Sequence, residues 1–168
     1  MFKQKAINRV RAGKVAQKKG QRFETFIKNC AFASRFFPIQ IPDGCDTKRG
    51  PGGRTVLIRV QTPFDFILIG HQQAIFLDTK TTSATTFSHS KIKHHQLINL
   101  LEASKAGPAG YLVLFESKRL VVFFSAQKLQ SIQPRQSLKP QDGLILGPPE
   151  TWNPRHIIED WILSEASD

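Results

Sequence analysis

Apolar residues recur with a helical period in a segment that begins near Gly20. Four of them are spaced i, i+3, i+4 and i+7, and therefore share one face: Phe23, Phe26, Ile27 and Cys30. Glu24 lies at the edge of that face. The pattern predicts a first helix from about Gly20, with a carboxylate beside its buried side.

A second helical pattern occupies 91–107. Its shared face consists of Leu97, Leu100, Leu101 and Ser104. Gly107 followed by Pro108 is a typical stop signal. A last short helix is predicted from Asn153-Pro154 through Trp161, because Asn is a good cap and Pro suits the first helical position.

Short apolar runs predict strands between and after these helices. They are "FFPIQIPDG", the two runs of "TPFDFILIGHQQAIFLDTK" at 62–80, "GYLVLFE" and "RLVVFFS". The segment "TTSATTFSHS" is predicted to be a polar linker, and 130–150 to be irregular. The order is helix, three strands, helix, two strands, helix, which predicts an α/β fold with a single mixed β-sheet flanked by helices.

Two segments do not fit this pattern of packed elements. Residues 1–22 hold eight basic residues and no acidic one, which suits either a mobile, solvated tail or an arm that grips DNA. The Gly-rich segment at 43–55 suits either a plain surface loop or a basic finger that touches phosphates. The candidate DNA contacts in these segments are Lys14, Lys18, Lys19, Arg22, Lys48, Arg49 and Arg54.

The overall charge points to a polyanionic partner. The chain has 168 residues, which fits one domain, and 24 basic against 13 acidic residues give a net charge of +11. Such an excess favours nucleic acid or an anionic membrane surface. No apolar run is long enough to span a bilayer and no secretory signal is visible, so we expect a cytoplasmic protein whose two cysteines are reduced.

Two aspartates interrupt the apolar runs at 62–80. Strand alternation puts Asp78 and Lys80 on one face, with Ala74 and Phe76. If Ile69 pairs with Ala74 across the turn, Asp65 lies directly opposite Asp78. Opposed carboxylates destabilise a ladder, so a raised pKa, a nearby cation or a bound metal must compensate.

Of these three possibilities, a bound divalent metal would also give Asp65 and Asp78 a catalytic role. Mg²⁺ is typically held by one or two carboxylates together with water and substrate phosphate. Lys80 would then lie beside the ion, where it could hold a water molecule. The alternative is a surface hairpin with an ordinary Asp–Lys salt bridge, because Asp-x-Lys alone is a weak motif.

These residues resemble the PD-(D/E)xK nuclease superfamily, and within it the RecU-type Holliday junction resolvases. The matching pieces are Glu24, "TPFDF", "FLDTK", "HHQLINL" and the two following strands, from Gly20 to Phe124. The chain departs from the superfamily in two places: Phe64 separates Pro63 from Asp65, and Asp78 stands where Glu is commoner. The Gly-rich loop resembles the protruding stalk of RecU-type enzymes, but its sequence matches poorly.

The resemblance implies a restriction-endonuclease-like αβββαβ core in a nuclease domain at 20–168, preceded by the basic arm at 1–19. It also implies a homodimer that cuts four-way DNA junctions with Mg²⁺, for which Mn²⁺ could substitute. Asp65, Asp78 and the carbonyl of Thr79 would hold the metal, and Lys80 would orient the attacking water. Glu24 would complete the acidic cluster, and Gln96 would support it from the second helix.

Two other functions remain open at this stage. A restriction-like or repair nuclease would keep the chemistry and cut a different DNA. A nucleic-acid-binding protein would have the same nuclease fold but would not catalyse cleavage. The intact set of Asp65, Asp78 and Lys80 argues against the second alternative.

Overall fold

The computed structural model of the protein describes residues 2–42, 44–49, 52, 55–60 and 62–166. Its helices are α1 (Phe2–Ala33), α2 (His94–Ala103), α3 (Ala126–Gln130) and α4 (Arg155–Glu165). Its strands are, in chain order, β1 (Phe37–Gln40), β2 (Gly44–Arg49), β3 (Thr55–Val60), β4 (Phe66–Gly70), β5 (Gln73–Thr82), β6 (Phe87–Ser88), β7 (Ala109–Phe115), β8 (Leu120–Ser125), β9 (Ser137–Leu138) and β10 (Leu144–Gly147).

Six strands form the main sheet, in the order β1-β4-β5-β7-β8-β10. The pair β5–β7 is parallel, and the other neighbouring pairs of this sheet are antiparallel. Helix α2 lies on the crossover between β5 and β7, as a parallel pair requires. The predicted mixed α/β sheet flanked by helices is confirmed, with α1, β1, β4, β5, α2 and β7 in the expected order.

The register of the β4–β5 hairpin is the one that the alternation predicts. Ile69 pairs with Ala74, and the ladder continues to Phe66 opposite Leu77. His71 and Gln72 turn the chain with positive φ angles of 52° and 63°. This geometry matches a tight hairpin turn, so the short connection fixes the pairing.

The two faces of the sheet bury separate apolar clusters. Ile75 and Leu77 of β5 pack with Phe23 and Ile27 of α1. Phe76 faces the opposite cluster, which includes Leu100 of α2. The alternation predicted for β5 is therefore confirmed, and Asp78 and Lys80 belong to the strand face on the α2 side.

The predicted start of the first helix near Gly20 is wrong. Helix α1 begins at Phe2 and runs through Gly20 without a break. The prediction relied on apolar periodicity, whereas the preceding segment is rich in Lys, Arg, Gln and Ala, which have high intrinsic helix propensity. The division of the chain into an arm at 1–19 and a domain at 20–168 stays a prediction.

The Gly-rich segment at 43–55 is not wholly a loop. Strand β2 falls within it and pairs antiparallel with β3, so a hairpin stands between β1 and β4. Strand β3 was missed although its sequence "TVLIRV" is rich in β-branched residues. The two strands form a sheet of their own, separate from the main sheet.

The C-terminal third is more regular than predicted. Strands β9 and β10 both lie in the segment 130–150 that was predicted to be irregular, and β10 joins the edge of the main sheet beside β8. Strand β9 pairs with β6, which lies in the predicted polar linker. Helix α4 begins at Arg155, where the backbone N–H donates to Oδ1 of Asn153 at 2.9 Å. In the part of the chain with assigned structure, no helix is long and apolar enough to cross a bilayer.

Candidate active site

Asp65 lies immediately before β4, and backbone contacts fix its position. Its N–H donates to the carbonyl of Leu77 at 2.9 Å, and its own carbonyl accepts from the N–H of Ile41 at 2.9 Å. Its side-chain Oδ2 accepts from the backbone N–H of Thr79 at 2.7 Å and from the Thr79 hydroxyl at 2.8 Å. The carboxylate is therefore held across the hairpin against β5.

Asp78 is fully buried, with 0% relative exposure. Its Oδ1 accepts a hydrogen bond from Nζ of Lys80, with which it forms an ion pair. Its Oδ2 is buried without a hydrogen-bond partner in the described structure. A carboxylate oxygen in this position is costly unless a proton or a cation neutralises it.

The pKa of Asp78 reflects this burial. This pKa is raised from 3.8 to about 7 in all: desolvation by burial is the largest cause, the charge of Lys80 opposes it, and the charge of Asp65 adds to it. The Asp65 contribution is the like-charge repulsion expected between neighbouring carboxylates. At neutral pH the Asp78 carboxyl therefore lies near the midpoint of its titration.

A cavity of ≈270 Å³ opens where α1 meets this hairpin. Glu24, Asp65, Thr79 and Lys80 line it, together with Gly20, Phe23 and Thr81. Glu24 accepts a hydrogen bond at 2.9 Å from Nε2 of Gln40 in β1, which fixes it at the cavity wall. The fold thus brings together four of the residues predicted for the site. Asp78 is buried in the same strand as Thr79 and Lys80 and does not line the cavity.

Gln96 contacts a residue that the sequence did not indicate. It is buried in α2, and its Oε1 accepts a hydrogen bond from the Tyr111 hydroxyl at 3.2 Å. Tyr111 is the partner of Asp78 in the parallel β5–β7 ladder. The only sequence signal for Tyr111 was its place in a predicted strand, which does not reveal its neighbour across the crossover.

The donor set suits a hard divalent cation that keeps most of its water. Asp65 and Asp78 contribute two carboxylates, and Oδ2 of Asp78 has no donor. The described residues contain no group of three or more His, Cys, Asp or Glu side chains that could hold a metal. Two carboxylates with water and phosphate completing the shell fit Mg²⁺, whereas Ca²⁺ and zinc need more protein ligands.

The predicted DNA contacts fall into three groups. Lys18, Lys19 and Arg22 are exposed on α1 just before Glu24, and Lys19 forms an ion pair with Glu116 at 2.9 Å. Lys14 lies in α1, and Lys48 and Arg49 lie in β2. Arg54 lies outside the described residues.

Two lysines near the site were missed by sequence reasoning. Lys91 and Lys93 are exposed just before α2, and the charge of Lys93 acts on Asp78. Nζ of Lys91 donates to the hydroxyl of Thr82, at the end of β5, at 2.8 Å. The basic run "KIKHH" was the available signal, but it did not lead to a prediction that Lys91 and Lys93 lie near the site.

A comparison with solved structures identifies the architecture. The chain is similar to Hjc of Archaeoglobus fulgidus, a Holliday junction resolvase from an archaeal hyperthermophile, with a TM-score of 0.51. The likeness covers 76% of this chain and 92% of that chain at 16% sequence identity. The chain has the fold of Hjc. No protein-family model and no curated protein matches the sequence.

Proposed function

We propose that this protein is a Mg²⁺-dependent DNA endonuclease whose substrate is a four-way DNA junction. The observation that carries the proposal is the buried Asp78 carboxylate, which pairs with Lys80 beside Asp65. If the Asp78–Lys80 pair served only the stability of the fold, neither the nearby charge of Asp65 nor the unpartnered Oδ2 of Asp78 would have an explanation. The Hjc-like fold supports the nuclease class.

Each site residue has a separate role in this proposal. Asp65, Asp78 and the carbonyl of Thr79 bind the cation, and Glu24 completes the acidic wall of the cavity. Lys80 holds the attacking water, and Gln96 supports the site from α2. When bound, Mg²⁺ supplies Lewis-acid stabilisation of the phosphodiester and its leaving oxygen, and Mn²⁺ can replace it.

The junction substrate is the finer part of the proposal. A four-way junction has two-fold symmetry, and a homodimer would present two sites to two opposed strands. The resemblance of Glu24, Asp65, Asp78 and Lys80 to the RecU-type pattern supports this reading. The net charge of +11 supports a polyanionic substrate.

The test compares three DNA substrates: a four-way junction, a linear duplex and a single strand, each with Mg²⁺, Mn²⁺, Ca²⁺ or EDTA. We expect paired cuts in the junction with Mg²⁺ or Mn²⁺ and none in EDTA. Ca²⁺ should allow binding with little cutting, because its looser shell positions water poorly. Cleavage that persists in EDTA would overturn the metal site, and equal cutting of duplex and junction would overturn the junction substrate.

A matched pair of variants separates the site from general charge effects. Asp65→Asn removes a proposed ligand, whereas Asp160→Asn removes one exposed carboxylate from α4. Cleavage should fall by about 100-fold or more in the first variant and stay within about twofold in the second. Equal activity of the two variants would contradict the assignment of Asp65.

A further inference from the structure

Tyr111 is the single tyrosine of the chain and is fully buried in β7. The parallel register sets it beside Asp78 of β5. Burial raises the pKa of its hydroxyl above the ordinary value, and the charge of Asp78 raises it further, so the hydroxyl stays protonated. A buried hydroxyl of this kind needs partners, and the fold supplies two.

The hydroxyl joins α2 to the sheet. It donates to Oε1 of Gln96 at 3.2 Å and accepts from the backbone N–H of Lys93 at 3.3 Å. Lys93 is the N-cap of α2 and makes no side-chain capping bond. Tyr111 therefore satisfies a backbone donor at the helix start and holds the side chain of Gln96 against β7.

The ring of Tyr111 contacts the other functional side chain of this face. Nζ of Lys80 lies 5.1 Å from the ring centroid, within the range of a cation–π contact. Lys80 is also held by Asp78, and its side chain is only 20% exposed. The Lys80 ammonium therefore contacts both the Asp78 carboxylate and the Tyr111 ring, and these two contacts restrict the conformations of its side chain.

We propose that Tyr111 is the positioning residue of the acidic centre: its ring seats Lys80, and its hydroxyl holds Gln96 and the first turn of α2. The effect on cleavage rests on the proposed nuclease function. The positioning itself does not, because it is a statement about Lys80 and Gln96 that can be measured without DNA. Tyr111 has no exposed surface and acts only through these neighbours.

The kinetic test uses three variants of β7. Tyr111→Phe keeps the ring and removes the hydroxyl, whereas Tyr111→Leu removes both. Phe115→Leu is the control, because Phe115 is fully buried on the same strand face and is packed against Phe124. This variant also removes a buried aromatic ring, but at a position that contacts neither Lys80 nor Gln96 in the described hydrogen bonds and ring contacts.

We expect kcat for cleavage to fall by about 10-fold in Tyr111→Phe and about 100-fold in Tyr111→Leu, with KM for DNA nearly unchanged. Phe115→Leu should lose stability and keep kcat within about twofold. Equal kcat losses in Tyr111→Leu and Phe115→Leu would overturn the positioning role. So would wild-type kcat in both Tyr111 variants.

The second test needs no activity, because a single tyrosine labelled with ¹³C at Cζ gives one ring-carbon NMR signal. Lys80→Met and Gln96→Met should each shift that signal, whereas Lys128→Met, at an exposed position on α3, should leave it in place. An unshifted signal in Lys80→Met or in Gln96→Met would overturn the proposal. If the wild-type protein cuts no DNA, the nuclease function fails, and these shifts alone decide whether Tyr111 positions both residues.

Discussion

Asp78 is a carboxylate with no exposed atom, on a strand face that also carries a lysine. Its protonation is therefore linked to folding. In the folded protein its pKa is raised from 3.8 to about 7, so between these values the folded state keeps a proton that the unfolded state has released. The free energy of unfolding must decrease as pH rises through that window and level off above it.

Asp78→Asn should remove this pH dependence. Urea denaturation in EDTA should show that the wild type loses up to about 1.4 kcal/mol per pH unit between about pH 4 and 7 relative to the variant. Cleavage should fall by orders of magnitude in the variant, while DNA binding holds or rises because a negative charge has gone. Parallel pH profiles for the two proteins would show that Asp78 ionises as freely as in the unfolded chain.

The ammonium of Lys80 compensates the charge of the buried Asp78 carboxylate when Asp78 is ionised. Lys80→Met removes the ammonium and keeps the apolar stem, so above pH 7 the buried carboxylate loses its partner. The free energy of unfolding should drop by about 3 kcal/mol at pH 8 and change little at pH 5, where Asp78 holds a proton. Lys105→Met, which breaks an exposed ion pair with Glu102, is the control and should cost less than about 1 kcal/mol at either pH. A loss that is the same at both pH values would mean that Lys80 stabilises the fold by packing alone.

At the scale of elements, α1 carries a glycine in its interior at the wall of the candidate site. A Cβ at Gly20 would meet no atom within 4 Å, so nothing in the packing requires glycine there. Glycine inside a helix destabilises it relative to alanine. Glycine at this position therefore lowers helix stability without being required by the packing.

Gly20→Ala should raise the free energy of unfolding by about 0.5–1 kcal/mol, measured by thermal or urea denaturation. Gly107→Ala is the opposite case, because its Cβ would lie 2.5 Å from the carbonyl oxygen of Ala74 and must displace backbone. That variant should lose stability. A destabilised Gly20→Ala would mean that α1 is not continuous at this residue.

Sequence reasoning succeeded where contacts are local and failed where they are not. The β4–β5 register from Ile69–Ala74 to Phe66–Leu77 followed from alternation and a short turn, so the placement of Asp65 at the end of this ladder, against β5, could be predicted. The start of α1 could not, because polar helix formers leave no apolar period. Tyr111 could not either, because it reaches Asp78 only through a parallel pairing that spans the whole of α2.

At the scale of the whole molecule, positive charge is concentrated at the N-terminal end of α1. Residues 2–17 include five basic residues and no acidic one, and they belong to the same helix as Glu24 at the site. Phosphate contacts along such a segment would release counterions and make binding steeply dependent on salt. This organisation supports a DNA path that begins on α1 and ends at the cavity.

Deleting residues 1–17 should weaken DNA binding by about 10-fold at physiological salt and flatten the dependence of log K on log salt. The truncation keeps Phe23 and Ile27 in the core and the Lys19–Glu116 ion pair, so the remainder of α1 stays packed on the sheet. A full-length variant with the five basic residues changed to glutamine separates charge from helix length. If the dependence of log K on log salt is unchanged in both proteins, the basic residues at the start of α1 do not contact DNA phosphates.

The pairing of β4 with β5 also determines where this chain can change length. A residue inserted within β5 between Ile75 and Asp78 would exchange the two faces of the strand beyond it, and Asp78 would turn from the α2 side to the α1 side. The β2–β3 hairpin stands outside the main sheet, between β1 and β4, so insertions or deletions there leave that register intact. We therefore expect proteins that descend from a common ancestor with this one to vary in length at 43–61 and to keep a fixed spacing between Ile75 and Lys80.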